Sequence, residues 1–229
     1  MKVTLIDHMG SDLSVVNAAR VSFDKESKWV YCEESDGRDK ALSGADKKLI
    51  SYLAKHNHWT PFGHCFASFR IKAPIFVARQ LGKHQVGLVW NEVSRRYVDS
   101  EPEFYVPETW RMRAENVKQG SSEDTFEFED DCFGTETLPP EAINEEALRL
   151  YTSMIEMGIC PEQARMVLPQ SMYTEWVWSG SLAAFARVCK LRLDPHTQYE
   201  TQLIAAFIDS DLKALYPVSW KALMNEAAD

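Results

Sequence analysis

Apolar side chains recur at intervals of three and four residues along most of the chain, which is the pattern of amphipathic helices. The clearest example follows Ser43, where Leu49, Ile50, Leu53 and Ala54 would line one face. Ser, Asp or Pro often stands where such a segment begins, as expected of residues that cap or open a helix. We predict helices from Ser11 or Asp12 to Arg20, after Ser43, from Pro74 through Gln80, and over Glu141–Met157, Pro161–Val167, Ser181–Leu191 and about Pro195–Leu215.

Alternation of apolar and polar positions occurs in fewer places and predicts the strands. Between His64 and Ile71, the side chains of Cys65, Ala67 and Phe69 would share one side with Ile71. Two shorter segments also fit a strand, Pro102–Pro107 and Tyr173–Trp178. Helix therefore exceeds strand, and we predict a mixed fold of the α+β (α/β) class.

The chain has 229 residues, of which 45% are hydrophobic, so it can bury a core of its own without disulfides. We predict one domain over residues 1–229. The apolar runs are too short to span a bilayer, and the first residues lack the apolar stretch of a signal peptide. Five cysteines, without a Cys-x-x-Cys pair, fit free thiols in a reducing compartment. We therefore expect a cytoplasmic protein with no membrane partner.

Charge is distributed unevenly along the chain, whose formal net charge is −9. Residues 113–136 hold eight acidic residues against two basic ones, and we predict that they form a solvated, mobile surface insertion. Residues 70–97 instead carry six basic residues against one acidic residue. The acidic total argues against a nucleic-acid partner, and a basic island in an acidic protein predicts a small anionic ligand.

The basic island contains no glycine-rich phosphate loop, since Gly-x-Gly occurs nowhere in the chain. Any phosphate must therefore be bound by cationic side chains or helix N-termini. Arg79 and Lys83 lie four residues apart on the helix predicted from Pro74, so both can point towards one ligand. The segment Asn91–Arg96 adds amide, carboxylate, hydroxyl and guanidinium groups. The alternative interpretation is a helix end and loop with ordinary surface salt bridges.

Other polar residues also have both structural and functional interpretations. His56, His58 and His64 suggest a metal site, but no acidic residue stands among them and their spacing matches no familiar ligand pattern. Packed or hydrogen-bonded histidines are the alternative. The segment Arg192–Gln198 lies where a helix begins, so it is either a binding segment or a simple cap. Arg165, taken alone, is typical of a salt-bridge partner.

Nucleophilic catalysis by the protein has little support in the sequence. Cys65 and Cys189 fall at apolar positions, where burial makes a thiol inert, and Ser94 lacks the Gly-x-Ser-x-Gly pattern. Many binding groups without a nucleophile are typical of an enzyme whose cofactor carries the chemistry.

Six blocks follow one another along nearly the whole chain: Asn17–Phe23, His58–His64, Ala73–Gln80, Asn91–Tyr97, Arg165–Pro169 and Leu191–Gln198. In this order they resemble the flavin-dependent thymidylate synthases. The third and fourth blocks are similar to the signature region of that family. The acidic segment near Ser121 then looks like a variable insertion.

The resemblance implies a fold and a reaction. The fold would be a central, mostly antiparallel sheet flanked by helices, assembled as a homotetramer with FAD between subunits. The reaction would be the reductive methylation of dUMP to dTMP. Methylenetetrahydrofolate would donate the carbon, and FAD reduced by NADPH would supply the hydride.

The resemblance also implies roles for individual residues. Arg192 would be the catalytic group, because it would reach the uracil ring and can stabilise negative charge there without a covalent enzyme intermediate. Arg165 would reach the nucleotide from another subunit. The dUMP-binding residues would be Gln80, Lys83, Glu92, Ser94, Arg95, Arg96, Arg165 and Arg192. The FAD-binding residues would be Ser22, His58, Thr60, Lys83, His84, Gln85, Asn91, Glu92 and His196, and no metal is implied.

The chain differs from the family pattern in one binding segment. Lys83, His84 and Gln85 stand where the family usually carries Arg-His-Arg, and the stretch from there to Asn91 is one residue longer. Lysine keeps the charge but loses the planar guanidinium, and glutamine loses the charge. Two alternatives stay open: a nucleotide-binding relative that has lost turnover, and a metal-dependent nucleotide phosphohydrolase built on the histidine cluster.

Overall fold

A computed structural model describes residues 1–31, 40–115, 120–127 and 139–224 of the chain. Its strands are β1 (Lys2–Met9), β2 (Val30–Tyr31), β3 (Lys40–Ala41), β4 (Phe66–Pro74), β5 (Leu88–Glu92), β6 (Trp110–Arg113), β7 (Ser121–Phe126) and β8 (Tyr173–Ser181). Its helices are α1 (Asp12–Arg20), α2 (Gly44–Lys55), α3 (Ile75–Leu81), α4 (Pro140–Glu156), α5 (Pro161–Ala164), α6 (Leu182–Arg192), α7 (Tyr199–Leu215) and α8 (Pro217–Met224). Short 3-10 turns occupy Val21–Phe23, Thr60–His64 and Arg165–Val167.

A four-stranded antiparallel sheet in the order β1-β4-β8-β5 forms the centre of the fold. Along β4, Ala67, Phe69 and Ile71 are buried, because alternate side chains of a strand point to the same face. Trp178 and Trp176 of β8 lie opposite Phe69 and Ile71 and are also buried. This face packs against α1, α2, α6, α7 and α8 to form the hydrophobic core.

The chain between α3 and β5 runs very close to β8. A Cβ on Gly180 would lie 2.6 Å from the carbonyl oxygen of Gly87, so glycine is required at position 180. Gly87 itself has a φ of 77°, which glycine adopts without strain. The two glycines therefore set the path of the segment from Lys83 to Glu92, which carries several of the predicted binding residues.

The antiparallel sheet and most of the predicted helices are confirmed. Ser43 Oγ accepts a hydrogen bond from Asp46 N at 3.1 Å, and Ser181 Oγ accepts one from Ala184 N at 3.3 Å. Both serines therefore cap their helices as predicted. Gly158 follows the end of α4 with a φ of 83°, also as predicted.

The strand predictions need three corrections. Pro102–Pro107 is not a strand: Phe104 makes only an isolated bridge to Met172, because a proline at each end has no N–H to donate. The strand predicted from His64 begins at Phe66. Neither β1 nor β5 was predicted, and the register of β1 shifts at a bulge after Leu5, which disturbs the alternation.

The helix predictions also need correction. The last long helix begins at Tyr199 instead of about Pro195, because Asp194 Oδ1 accepts a hydrogen bond from His196 N at 2.8 Å and holds a turn. The helix predicted over Pro161–Val167 divides into α5 and a 3-10 turn. The pattern did not predict α8. None of the helices in the described ranges is both long and apolar enough to cross a membrane.

The acidic segment at residues 113–136 is only partly described. Residues 121–126 form β7, which pairs antiparallel with β6 and is largely exposed, so this part of the predicted insertion is a strand on a solvated surface. Residues 116–119 and 128–136 lie outside the described residues, as do Cys32 and Cys132. We call the paired strands the β6–β7 hairpin.

Candidate active site

A cavity of about 870 Å³ opens where the C-terminal ends of α3 and α6 meet the turn before α7. Gln80, Arg192 and His196 line this space, which we call the Arg192 cavity, and the β6–β7 hairpin contributes Arg111 and Ser121. The sequence assigned Gln80 and Arg192 to the nucleotide and His196 to the flavin. The structure therefore brings residues from both predicted sets together.

Arg192 is half-buried at the end of α6 and is held by two hydrogen bonds. Its Nε donates to His84 Nε2 at 3.0 Å, and an Nη donates to the carbonyl oxygen of Gln80 at 3.3 Å. Because His84 Nε2 accepts this bond, the imidazole is neutral with its proton on Nδ1. Burial, together with the charges of Arg192 and Arg187, lowers the pKa of His84 in agreement with the neutral form. Burial also lowers the pKa of Arg192. The guanidinium nevertheless keeps its charge at neutral pH.

A second cavity, of about 410 Å³, is lined by His84, the residue that accepts the Arg192 hydrogen bond. We call it the Lys83 cavity. Arg79 and Lys83 both line it, but Lys83 lies beyond the end of α3 at Leu81, so helical spacing is not what brings the two residues together. Two cations and a neutral imidazole beside an open space suit an anionic or phosphorylated ligand. The lining residues are Ile75, Ala78, Arg79, Gly82, Lys83, His84, Gln85, Leu88, Trp90 and Glu92.

The strand β5 divides the predicted binding residues between two faces of the sheet. Glu92 lines the Lys83 cavity and is fixed there: Thr174 Oγ1 donates to Oε1 at 2.7 Å, and Trp90 Nε1 donates to Oε2 at 3.2 Å. Asn91 is exposed and faces the opposite way, because neighbouring residues of a strand alternate. Glu92 and Asn91 therefore cannot serve the same cavity within one chain.

Polar side chains around the Arg192 cavity are held in place by the segment before α7 and by its first turn. Gln80 Nε2 donates to Gln198 Oε1, and Thr201 Oγ1 donates to Gln80 Oε1 at 3.2 Å. His196 Nδ1 lies 2.9 Å from Asp194 Oδ1. Side chains that are already oriented lose less conformational freedom when a ligand binds.

Arg96 and Arg165 converge on Glu162, outside both cavities. Arg96 Nε donates to Glu162 Oε2 at 3.2 Å, and Arg165 Nε donates to the carbonyl oxygen of Glu162 at 3.3 Å. Ser94 Oγ accepts a hydrogen bond from Arg96 N at 3.3 Å. Two guanidinium groups bonded to the same residue suit a dianion such as a phosphate monoester. Arg95 is separate from them and donates to a backbone carbonyl of its own loop.

Ser22, His58 and Thr60 are exposed, and none of the three is among the residues that line the Arg192 cavity. The 3-10 turn that begins at Thr60 leads to Cys65, whose carbonyl oxygen accepts the first N–H of α6 at 2.8 Å. Arg192 is the last residue of α6, about 15 Å further along at 1.5 Å per residue. Within one chain, the structure does not bring these three predicted cofactor-binding residues to the Arg192 cavity.

The histidine cluster has the packing of surface aromatic residues. His56 and His58 both lie against Tyr52, with ring-centroid distances of 4.3 and 6.0 Å. Over the described ranges, no three or more His, Cys, Asp or Glu side chains are grouped so that they could hold a metal ion. The cluster therefore gives the phosphohydrolase hypothesis no support.

The thiols predicted to be inert are buried. Cys65 and Cys189 have no exposed surface. Burial raises the pKa of Cys65 to about 11 and also raises that of Cys189. Since the thiolate is the nucleophilic form, neither residue is suited to attack a substrate.

Sequence analysis missed three residues beside the Arg192 cavity. An Nη of Arg111 donates to both carboxylate oxygens of Glu200, at 2.9 and 3.0 Å, and Tyr105 OH donates to one of them at 3.3 Å. Burial, followed by the negative charge of Glu200, raises the pKa of Tyr105 to about 12. Arg111 and Glu200 are 89 residues apart, so no local pattern could have paired them.

Comparison with known proteins identifies the family. The sequence model of the family described as "Thymidylate synthase complementing protein" matches residues 4–218. The chain belongs to this family. The resemblance inferred from the six sequence blocks is thereby confirmed.

Individual members of the family match along nearly the whole chain. The flavin-dependent thymidylate synthase of Kosmotoga olearia is 37% identical over 98% of this chain and 90% of its own length. That of Thermus thermophilus is 38% identical over 96% of this chain and 74% of its own length. The crystal structure of a UMP/dUMP methylase, PolB from Streptomyces cacaoi, bound with 5-Br dUMP, is similar in fold. It has a TM-score of 0.76 and 30% identity, and the match covers 96% of this chain and 93% of that chain.

Proposed function

We propose that this chain catalyses the reductive methylation of dUMP to dTMP, with methylenetetrahydrofolate as the carbon donor and NADPH as the reductant of bound FAD. One observation carries the proposal most directly: Arg192, which lines one cavity, is fixed by neutral His84, which lines the other. Family membership supports it, since the relatives are named flavin-dependent thymidylate synthases and the structural neighbour is a UMP/dUMP methylase.

The side chains of the Lys83 cavity fit FAD. Arg79 and Lys83 provide positive charge for its pyrophosphate, and Glu92 is held as a fixed acceptor for a hydroxyl or ring N–H. His84 and Gln85 add neutral hydrogen-bonding groups. When bound and reduced, FAD would supply the hydride of the reaction. Since Gln85 carries no charge, the pyrophosphate relies on Arg79 and Lys83.

Arg192 would act by stabilising negative charge on the pyrimidine. Its guanidinium is already oriented by His84 and by the Gln80 carbonyl oxygen, so little reorganisation is needed during the reaction. A preorganised donor of this kind typically contributes about 3–4 kcal/mol to transition-state stabilisation. Ser94 would bind rather than attack, because its hydroxyl already accepts the Arg96 amide and its sequence context is not that of a nucleophile.

Arg96 and Arg165 would bind the phosphate of dUMP. Both are exposed, and both now meet Glu162, which occupies part of the positive site. A dianionic phosphate would compete with the Glu162 carboxylate for Arg96 and with the Glu162 carbonyl oxygen for Arg165. Gln80 would hold the nucleotide base, because its amide is fixed by Gln198 and Thr201 beside Arg192.

We propose further that the active enzyme is a homotetramer with shared sites. Large apolar side chains next to the outlying binding residues are exposed: Phe23 by 75%, Met166 by 78% and Tyr97 by 77%. They adjoin Ser22, Arg165 and Arg96 in the sequence. Exposed apolar side chains that adjoin binding groups favour a protein interface at this surface. A second copy that covers them would bring the outlying residues to the Arg192 cavity.

The test uses the purified full chain. We expect a yellow protein with bound flavin, and dTMP formation that requires dUMP, methylenetetrahydrofolate and NADPH together. A colourless protein that does not take up added FAD would contradict the proposal. Tight dUMP binding without NADPH oxidation would indicate a relative that has lost turnover, and metal-dependent phosphate release would indicate a phosphohydrolase. UMP should be assayed beside dUMP, since the structural neighbour is described as a methylase of both.

A further inference from the structure

The β6–β7 hairpin forms one side of the Arg192 cavity. Gly120, Arg111 and Ser121 line the cavity from the hairpin, opposite Arg192 and His196. A Cβ on Gly120 would lie 3.6 Å from His196 Cα. The beginning of β7 is therefore within van der Waals reach of the backbone that carries His196.

The side chain of Arg111 joins this hairpin to α7. Its Nε donates to Ser121 Oγ at 2.9 Å, and an Nη donates to both oxygens of Glu200 at 2.9 and 3.0 Å. Its guanidinium also lies 4.9 Å from the centroid of the Tyr199 ring. Glu200 is only 3% exposed, so removal of Arg111 would leave a buried carboxylate without its cation.

Glu200 stands in the first turn of α7, between two residues that orient Gln80. Gln198 accepts from the Gln80 amide, and Thr201 donates to it at 3.2 Å. Any displacement of this turn would move both partners of Gln80. The contact between Arg111 and Glu200 therefore acts on the cavity through the backbone of α7.

We propose that Arg111 is a positioning residue for the nucleotide site. Acting through Glu200, it fixes the turn that orients Gln80, and it holds the hairpin against the segment that carries His196. Lysine cannot replace it fully, because one ammonium group cannot reproduce the planar set of bonds to Ser121 and to both Glu200 oxygens. The inference rests on the proposed function, since it takes the Arg192 cavity as the dUMP site.

The first experiment compares Arg111→Gln and Arg111→Lys in the flavin-loaded enzyme. We expect Arg111→Gln to weaken dUMP binding in calorimetry at least tenfold and to raise the KM for dUMP by a similar factor. The kcat at saturating dUMP should fall by a smaller factor. Arg111→Lys should recover part of the affinity. The control is Arg149→Gln, which removes an exposed ion pair with Glu146 on α4 and should leave both constants unchanged.

A double variant separates positioning from stability. Arg111→Met with Glu200→Leu removes the ion pair without leaving a buried charge, and it leaves the net charge of the chain unchanged. We expect it to unfold at the same urea concentration as the control and still to bind dUMP at least fivefold more weakly. Restoration of wild-type affinity in this variant would overturn the proposal.

Hydrogen exchange provides a readout that does not depend on the substrate. In Arg111→Gln, amides of Ser121–Phe126 and of the Asp194–Gln198 turn should exchange at least tenfold faster, with those of Tyr173–Ser181 unchanged. Equal acceleration in all three segments, or none, would overturn the proposal. A wild-type protein that does not bind dUMP would instead contradict the proposed function, and the exchange result would then decide the role of Arg111 alone.

Discussion

Arg192 and Arg165 are both expected to serve the nucleotide, yet their surroundings differ sharply. Arg192 is half-buried and bonded to a side chain and a carbonyl oxygen of the α3 region, more than a hundred residues away in the sequence. Arg165 is exposed, its Nε donates to the carbonyl of Glu162 in its own short helix, and the neighbouring Met166 is 78% exposed. The chain thus holds one guanidinium rigidly and presents the other to its surface.

The contrast has a physical explanation if the two residues act in the same site from different copies. A group that works within its own chain is oriented by long-range contacts in that chain. A group that completes another copy's site must remain on the surface until that copy covers it. Ser22 and His58 share the exposure of Arg165, whereas Gln80 and His84 share the constrained position of Arg192.

The largest effect is expected at Arg192. Arg192→Ala should lower kcat by a factor of about 100 to 1,000, since it removes a preorganised charge, while the protein stays folded and yellow. Turnover and flavin absorbance should be measured together. Lys190→Ala provides the control, because Lys190 is exposed on the same helix. Full activity of Arg192→Ala would show that the assignment of the catalytic group is wrong.

The exposed pair should affect substrate binding instead of turnover. Arg96→Gln and Arg165→Gln should each raise the KM for dUMP by about ten- to a hundredfold, since a hydrogen bond to a charged group contributes about 1.5–3 kcal/mol. The free energy of unfolding should change little, because exposed ion pairs contribute at most about 1 kcal/mol. Steady-state kinetics and urea unfolding measure the two quantities. A loss of stability with an unchanged KM for dUMP would show that the two arginines stabilise the fold and do not bind the substrate.

His58 tests the outlying flavin residues with a matched neighbour. His58→Ala should weaken FAD binding by roughly tenfold, about 1.4 kcal/mol, if it completes the site of another copy. His56→Ala is the control, because His56 packs against the same Tyr52 ring. Fluorescence titration with FAD measures both. Equal effects of the two substitutions would mean that packing on Tyr52, and not the flavin, explains the result.

The smallest effect concerns the protonation of His84. Its pKa in the folded protein is below the unfolded value of 6.5, so the unfolded chain takes up a proton first as the pH falls. The stabilising contribution is therefore complete above the unfolded pKa and is lost as the pH falls below it. Urea midpoints measured from about pH 8 to about pH 5.5 should fall more for the wild type than for His84→Gln. Parallel curves would contradict the neutral assignment of His84.

Local patterns in the sequence predicted much of the fold and part of the site. Serine caps and alternation along β4 depend on neighbouring residues, and both are confirmed. The pairing of β6 with β7 was not predicted, because the acidic composition of this part of the chain is typical of a solvated segment. The turn at Asp194 was not predicted, because it depends on a single hydrogen bond from His196 N to the Asp194 side chain, which favours the turn over a helix.

Long-range relations could not be predicted from the pattern. The pairing of Arg111 with Glu200 depends on the packing of the hairpin against α7, and no periodic pattern in the sequence indicates this pairing. The separation of Thr60 from Arg192 likewise follows from the path of α6, which begins beside the turn that contains Thr60 and ends at Arg192. The family resemblance assigned both residues to one reaction, but only the three-dimensional arrangement shows that one chain keeps them apart.

Subunit complementation tests the shared site most directly. Arg192→Ala and Arg165→Ala should each be inactive at low dUMP concentration. The two variants, each with a different tag, are then co-expressed, and hybrids that carry both tags are purified. Hybrids should regain up to about a quarter of wild-type activity, because some sites receive an intact Arg192 from one copy and an intact Arg165 from the other. Hybrids that form but stay inactive would contradict the account.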